Sequence, residues 1–289
     1  GGQIASLGWR QEPDALAQAE QILDTVLPDR SLLTSVSLAS SLSDLMDTLR
    51  QPESASTIIR TGYGDLDWKL RGGLHREDLA ILAGRPGMGK SSLALSLAIN
   101  AARNGTRVLL FSLEMAAGEL TERALSVQSG IPSRRFRQSM TPDEVERLGA
   151  ALNTLALCDI TIDASPALSI GEIRSRVRAR SRQSPVDLVI VDHLQLVTAP
   201  GNGNGRVYEL GDITSGLKRL ARDHGVAVLA LAQLSRKIEE RKDHTPMLSD
   251  LRDSGSCEQD ADVVLMLSRS DDAERQGTAD LTIAKHRNG

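Results

Sequence analysis

Aromatic side chains are nearly missing from this chain: Phe, Trp and Tyr together make up 2% of its 289 residues. That scarcity excludes a surface that grips unpaired bases by stacking them on successive rings. Cysteine is just as scarce, and Cys158 and Cys257 lie far apart with no C-x-x-C or Cys/His cluster around them. Neither a disulfide framework nor a zinc site is expected, and a reducing compartment fits. No apolar run approaches the ~18 residues needed to span a bilayer, and the N-terminus has no charged segment leading into an apolar one. The expectation is a soluble, cytoplasmic chain without membrane contact. Nor is basic charge in excess: 34 Lys and Arg stand against 38 Asp and Glu, for a net charge of -4. Coating a polyanion by bulk charge is therefore excluded, whereas a local basic groove is not.

What the chain does have is alternation. Apolar β-type runs at 78–83, 107–112, 159–163, 187–192, 226–232, 262–268 and 279–285 are separated by helical patterns. This predicts an α/β fold with a mostly parallel sheet flanked by helices. The runs Leu188–Val191 and Val226–Leu231 are apolar at every position, as strands buried on both faces are, and belong near the sheet centre. Capping boxes at Thr141–Glu144 and Ser169–Glu172 mark two helix starts. Ahead of this region lie two short helical patterns, Asp14 to Val26 and Leu42 to Leu49, separated by Pro28. Helices of that length are marginal alone in water, so each must bury its apolar stripe against its own core or another subunit. The expected division is an appendage over 1–56 and a main domain over 57–289. Gly201-Asn202-Gly203-Asn204-Gly205 reads as a mobile loop.

The string Gly84-Arg85-Pro86-Gly87-Met88-Gly89-Lys90-Ser91 fits G-x-x-x-x-G-K-S, between an apolar run and an amphipathic one that continues from Ser92. Glycines let backbone N–H groups turn inward around a triphosphate; Lys90 reaches its β- and γ-phosphates, and the Ser91 hydroxyl ligates Mg²⁺. The helix starting at Lys90 turns its positive end toward the same phosphates. Phosphoryl transfer also needs a metal-associated carboxylate and a positioned water. Asp192, closing the run Leu188–Val191, stands where the former is expected. Glu114 is expected to end the strand formed by the run Val108–Leu113, at the carboxyl edge, where open α/β sheets bind ligands. It could polarise the water, or only cap the helix that follows. Gln233, leaving the run Val226–Ala232, could sense a γ-phosphate through its neutral donor and acceptor.

These pieces, in this order, resemble the C-terminal motor domain of bacterial replicative DNA helicases, the DnaB family, on a RecA-like P-loop fold. The resemblance also rests on Phe111-Ser112-Leu113-Glu114-Met115, Asp192-His193-Leu194-Gln195-Leu196, Ala232-Gln233-Leu234-Ser235-Arg236, the stretch Leu248 to Asp262, and Ala284-Lys285-His286-Arg287-Asn288-Gly289. It implies that Gly84 through Ser92 hold ATP with Mg²⁺ at Ser91 and Asp192, that Glu114 activates water, and that Gln233 senses phosphate. It implies that Lys285 and Arg287 act in the nucleotide site of a neighbouring subunit, Arg287 as a finger on the γ-phosphate, within a homo-oligomer, a hexameric ring. Arg252, Asp253 and Gly255 match the family's contacts to single-stranded DNA, which hold phosphates without reading sequence. Arg236, Lys237, Arg241, Lys242 and Arg206 are candidates to enrich the same channel, or ordinary solvated charges. The helix Asp14 to Val26 resembles the linker that docks on the adjacent motor domain.

The chain departs from the family in lacking room for the helical N-terminal domain, so a piece of a longer protein is expected, with primase and helicase loader as partners of the whole. His193 stands where Tyr is common and reads as a packing or hydrogen-bonding residue. Two rivals remain at this stage: a RecA-like recombination or repair ATPase that uses ATP as an assembly switch, and a nucleotide-gated signalling ATPase that binds no DNA. If the trans finger is correctly placed, Arg287→Ala abolishes steady-state ATP turnover while leaving nucleotide binding intact. Normal hydrolysis by that variant would remove the assignment.

Overall fold

Every apolar run that the sequence offers as a strand pairs into one seven-stranded sheet. The computed structural model describes residues 37–40, 42–43, 46, 58–199, 206–234, 238, 246–269, 277–287 and 289, with backbone alone for 206–208 and 252–256. In chain order the elements are β1 (Ile58–Ile59), α1 (Gly64–Lys69), β2 (Leu74–His75), β3 (Leu79–Gly84), α2 (Lys90–Arg103), β4 (Val108–Ser112), α3 (Ala117–Ser129), α4 (Pro142–Ala156) and β5 (Ile160–Asp163). They continue as α5 (Ile170–Gln183), β6 (Leu188–Asp192), α6 (Arg206–His224), β7 (Ala227–Gln233), α7 (Gly255–Asp260), β8 (Val263–Ser268) and β9 (Asp280–His286). The strand order is β5-β4-β6-β7-β3-β8-β9. All neighbours run parallel except β8 and β9. The all-apolar runs that become β6 and β7 sit in the middle of the sheet, as burial on both faces requires.

Period-two alternation divides each strand between two cores. Ile81, Phe111, Val189, Val191, Val228 and Ala230 pack toward Ile173 and Val177 of α5 and Ile213, Leu217 and Leu220 of α6. Ala80, Leu82, Leu110, Ile190, Leu229 and Leu231 face the other way, toward Leu95, Leu97, Ala98 and Ile99 of α2. Both expected capping boxes form, Thr141 with Glu144 before α4 and Ser169 with Glu172 before α5.

Strand limits differ from the apolar runs by about one residue. Asp78 stays outside β3, and Gly84, the first residue of the phosphate-loop motif, becomes its last. The antiparallel pair β1 and β2 is not legible in the sequence, because two residues per strand are too few to display a period. The chain divides into two units, Gly1–Ser56 and Thr57–Gly289. Within the first, residues 38–40, 42–43 and 46 are helical. The expected helix over 14–26, the rest of 42–49 and the glycine-rich loop 201–205 lie outside the described residues. Among the described residues no helix is long and apolar enough to cross a membrane.

At the amino edge of the sheet a buried carboxylate ties three connections together. Asp187 accepts from the Arg107 backbone N–H at 2.9 Å and from its Nε at 2.8 Å, and it also binds the Arg76 guanidinium. Arg76 reaches on to the Gly225 carbonyl at 3.0 Å. Burial pushes the Asp187 pKa upward, but the hydrogen bonds from Arg107 and Arg76 outweigh it and hold the group at about 2. A carboxyl held below its unfolded value of about 3.9 contributes stability that is complete above that pH and lost as pH falls through the folded value. Thermal melts are therefore expected to separate wild type from Asp187→Asn at neutral pH, with the gap closing between about pH 4 and pH 2. A gap independent of pH would contradict the ion-pair account.

Candidate nucleotide site

Parallel register brings four strand ends to one edge. Gly84 of β3 pairs with Gln233 of β7. Ser112 of β4 pairs with Asp192 of β6. The first pair carries the start of the phosphate loop and the expected sensor; the second carries the aspartate expected to associate with a metal and the approach to Glu114.

The loop leaves β3 where nothing larger than glycine fits: a Cβ on Gly84 would lie 2.9 Å from the Leu267 carbonyl oxygen. It ends at Gly89, whose φ of 98° is left-handed and which caps α2 without a side chain. The first N–H groups of α2 therefore open toward the edge without intrahelical partners. Lys90 folds over the loop and donates from Nζ to the Gly84 and Arg85 carbonyls at 2.9 and 3.0 Å. Burial lowers the Lys90 pKa, against the opposing pull of Asp192 and Glu114.

Asp192 is 7% exposed. Burial raises its pKa, with Glu114 adding to the rise, while a hydrogen bond with the Ser91 side chain and the positive fields of His193 and Lys90 oppose it. Two hard oxygen donors, one an anion penalised by burial, are thus held together beside the loop. This donor set fits Mg²⁺, which favours one or two protein oxygens and fills its other positions with water and phosphate.

Glu114 does not end a strand. β4 stops at Ser112, whose hydroxyl donates to the Met115 carbonyl at 2.7 Å and accepts its N–H at 3.2 Å, turning the chain early. The Leu113 N–H donates to the Asp192 carbonyl at 2.8 Å, which keeps Glu114 beside β6. The Glu114 carboxylate is 65% exposed and lies 3.3 Å from Nδ1 of His193. The peptide bond between Asp192 and His193 is cis.

Gln195 was not singled out in the sequence. Its side-chain amide donates to the Gln233 carbonyl and accepts the Gln233 N–H, both at 3.2 Å. β6 pairs with β7 only as far as Val191 and Ala230, so this amide replaces the missing strand beyond that point. On the other side Leu234 N–H donates to the Gly84 carbonyl at 3.2 Å. Gln233 is thus wedged between the phosphate loop and the segment that follows Asp192.

Lys90, Ser91, Glu114, Asp192, His193 and Gln233 line one cavity of ≈ 610 Å³. Pro86, Gly87, Gly89 and Ser92 complete its loop side, and Glu119, Arg123 and Arg269 add charge. A second cavity of ≈ 690 Å³ shares Gly89, Ser92 and Arg269 with the first and is lined by Leu66, Met88, Leu93, Leu281 and Ile283 together with Tyr63. A polar hollow and an apolar one therefore flank a common wall, and both lie within the usual size of ligand sites. Arg269 directly follows β8 at the same edge as Gly84, a position that could have drawn attention to it.

Lys285 and Arg287 are not brought to this edge. β9 runs antiparallel, so its end pairs with Val263, the start of β8. Arg287 lies just past β9 rather than within it. It binds Asp262, whose carboxylate in turn accepts the N–H of Leu79, the first residue of β3. Gly84 is the last residue of that strand, five positions and about 16 Å away at the usual rise. Arg252 and Asp253 fall in the 3-10 helix Leu248–Ser254, and Gly255 begins α7. The side chains of Arg252 and Asp253 lie outside the described residues, as does that of Arg206, and so do Arg236, Lys237, Arg241 and Lys242 altogether.

Comparison with known proteins agrees with this fold. The family model described as "DnaB-like helicase C terminal domain" matches residues 58–289, and the chain belongs to that family. It is 38% identical to the replicative DNA helicase DnaB of Geobacillus stearothermophilus, over 85% of this chain and 56% of that protein. To the replicative DNA helicase DnaB of Rickettsia typhi it is 39% identical, over 88% of this chain and 57% of the relative. The chain thus spans just over half the length of these relatives. Among solved structures, an isolated ATPase domain superposes with a TM-score of 0.81 at 32% identity, covering 88% of this chain and 93% of that one. A DnaB-like replicative helicase, described with its interactions with primase, superposes with a TM-score of 0.79 at 29% identity over 100% of this chain and 70% of that one.

Removing the Gln195 amide frees the Gln233 backbone without touching the phosphate loop. Gln195→Ala is expected to lower kcat for triphosphate hydrolysis by up to about 10²-fold, the cost of a misplacement near 1 Å, with nucleotide affinity preserved. Equal losses in affinity and kcat would show that Gln195 supports the loop itself.

Proposed function

We propose that this chain is the motor of a replicative DNA helicase, coupling ATP hydrolysis between adjacent copies in a hexameric ring to translocation on single-stranded DNA and duplex unwinding. The observation that carries the reading is the separation of the two cationic groups. Lys90 lies at the carboxyl edge of the sheet and Arg287 at the opposite edge, beside Asp262. Within one chain they cannot meet on one phosphate; a second copy can bring them together.

In this reading the triphosphate lies along Gly84 to Ser92, its γ-end in the polar cavity and its nucleoside in the apolar one. Lys90 and the open N–H groups of α2 hold the β- and γ-phosphates. Ser91 and Asp192 would hold Mg²⁺, which would neutralise charge on the phosphates. Glu114 orients and deprotonates the attacking water, with the His193 ring beside its carboxylate. Gln233 contacts the γ-phosphate and, through its wedge between Gly84 and Gln195, registers its loss. Lys285 and Arg287 from the next copy stabilise charge in the transition state, where a finger of this kind is worth on the order of 10³ to 10⁵ in rate. Arg252, Asp253 and Gly255 hold DNA phosphates. Primase and a helicase loader are partners of the longer protein, which acts in the cytoplasm.

The test uses the full-length protein with ATP and a forked DNA substrate. Glu114→Gln is expected to bind ATP normally and to lose roughly 10² to 10⁴-fold in hydrolysis, the usual contribution of a general base. Strand displacement should vanish with it, and binding to single strands should weaken linearly with log salt. Wild-type hydrolysis by Glu114→Gln would remove its role. DNA-stimulated hydrolysis without any strand displacement by the unmutated protein would favour an assembly-switch ATPase instead.

A further inference from the structure

Asp262 is among the most thoroughly bonded side chains in the molecule, and no step described so far uses it. It is 3% exposed. Its N–H donates to the Leu79 carbonyl and its Oδ2 accepts the Leu79 N–H, both at 2.9 Å, which fixes it to the start of β3. Lys218 of α6 donates to the same Oδ2 and, at 2.7 Å, to the Glu77 carbonyl. The remaining oxygen, Oδ1, accepts from Nη1 of Arg287 at 3.1 Å, and the Asp262 carbonyl accepts the Arg287 N–H at 2.8 Å. Arg287 is therefore gripped at its backbone and at its guanidinium by one residue that is itself immobilised.

The other grips on the basic pair come from the end of α7. Nη2 of Arg287 donates to the Gln259 carbonyl at 2.9 Å. Nζ of Lys285 donates to the carbonyls of Glu258 and Ala261 at 2.6 and 2.7 Å. These are carbonyls that a helix C-terminus leaves without intrahelical donors, at its negative end. α7 is held in its turn, with Cys257 and Ala261 buried and Asp260 accepting from Thr214 of α6 at 2.7 Å. A guanidinium has five N–H donors, and two are engaged here. The side chain remains 47% exposed, so among the described residues its other donors are open to a neighbour.

We infer that Asp262 is a positioning residue for catalysis in the adjacent copy: with the carbonyl end of α7, which also holds Lys285, it aims Arg287 outward at a fixed reach. The inference rests on the inter-subunit reading above. It also gives that reading a mechanical link, because α7 begins at Gly255, one of the proposed DNA contacts, and ends on the carbonyls that hold the basic pair. A displacement of the DNA loop would then be passed to the finger through a single short helix.

Asp262→Asn keeps an acceptor for the Leu79 N–H and removes the charge that orients Arg287. In the full-length protein it is expected to lower kcat for ATP by about 10-fold to 10³-fold, part of a finger's worth, with KM and nucleotide affinity unchanged. The decisive readout is mixing. In a ring containing Asp262→Asn and Lys90→Ala copies, some interfaces combine the intact Lys90 of the first with the intact finger of the second. ATP turnover should therefore recover above that of either variant alone, as it should when Arg287→Ala is mixed with Lys90→Ala. Full activity of Asp262→Asn overturns the proposal. So does failure of Asp262→Asn to complement where Arg287→Ala succeeds, because the defect then lies in the variant's own phosphate loop. If neither complements, the inter-subunit site itself fails. Should Asp262→Asn not fold, Lys218→Gln, which frees the carboxylate from its second cation, is put through the same mixing with the same outcomes.

Discussion

The parallel pairing of β3, β4, β6 and β7 is the constraint from which the rest follows. Parallel strands end together, so Gly84 meets Gln233 and Ser112 meets Asp192 without any loop having to cross the sheet. The meeting of Gly84, Asp192 and Gln233 at one edge is therefore a consequence of register. The same rule in reverse governs β9. Because it alone runs antiparallel within the sheet, its terminal basic residues are returned to the opposite edge. A chain built this way carries its phosphate loop and its terminal basic pair on different sides, and in the proposed assembly stacking of identical copies joins them.

Electrostatics explains why the two halves are held differently. At the carboxyl edge Lys90 and Asp192 are both penalised by burial, and each lies in the field that relieves the other. Such a pair is poised to accept a polyanion with its metal, since both additions supply charge of the sign each group lacks. At the amino edge burial and the nearby guanidinium lower the Lys285 pKa, while Asp262, Glu258 and Asp260 oppose the shift. There the cations rest on fixed carbonyl dipoles and one buried carboxylate, so their placement follows the position of α7.

Much of this was legible because it depends on local pattern. Seven apolar runs announced seven strands, and glycine spacing announced the phosphate loop, since only those residues satisfy its turn. What escaped was whatever depends on partners distant in sequence. Nothing in the string around Gln195 says that its amide will stand in for a strand beside Gln233. Asp262 sat in a quoted motif, yet its bonds run to Leu79 and Lys218, 183 and 44 positions away. Glu114 was placed at a strand end, whereas the Ser112 hydroxyl turns the chain two residues sooner. The direction of β9, on which the inter-subunit argument rests, is invisible to periodicity, because parallel and antiparallel strands alternate alike.

The central claim is that a triphosphate at Lys90 is completed by Arg287 of another copy. Imaging the full-length protein assembled with Mg²⁺ and a non-hydrolysable ATP analogue tests it most directly. The account predicts a γ-phosphate bonded to Lys90 on one side and to Arg287 of the adjacent copy on the other, with that arginine still held by its own Asp262. A γ-phosphate enclosed by residues of a single copy, with every Arg287 turned away from the neighbouring site, would contradict it.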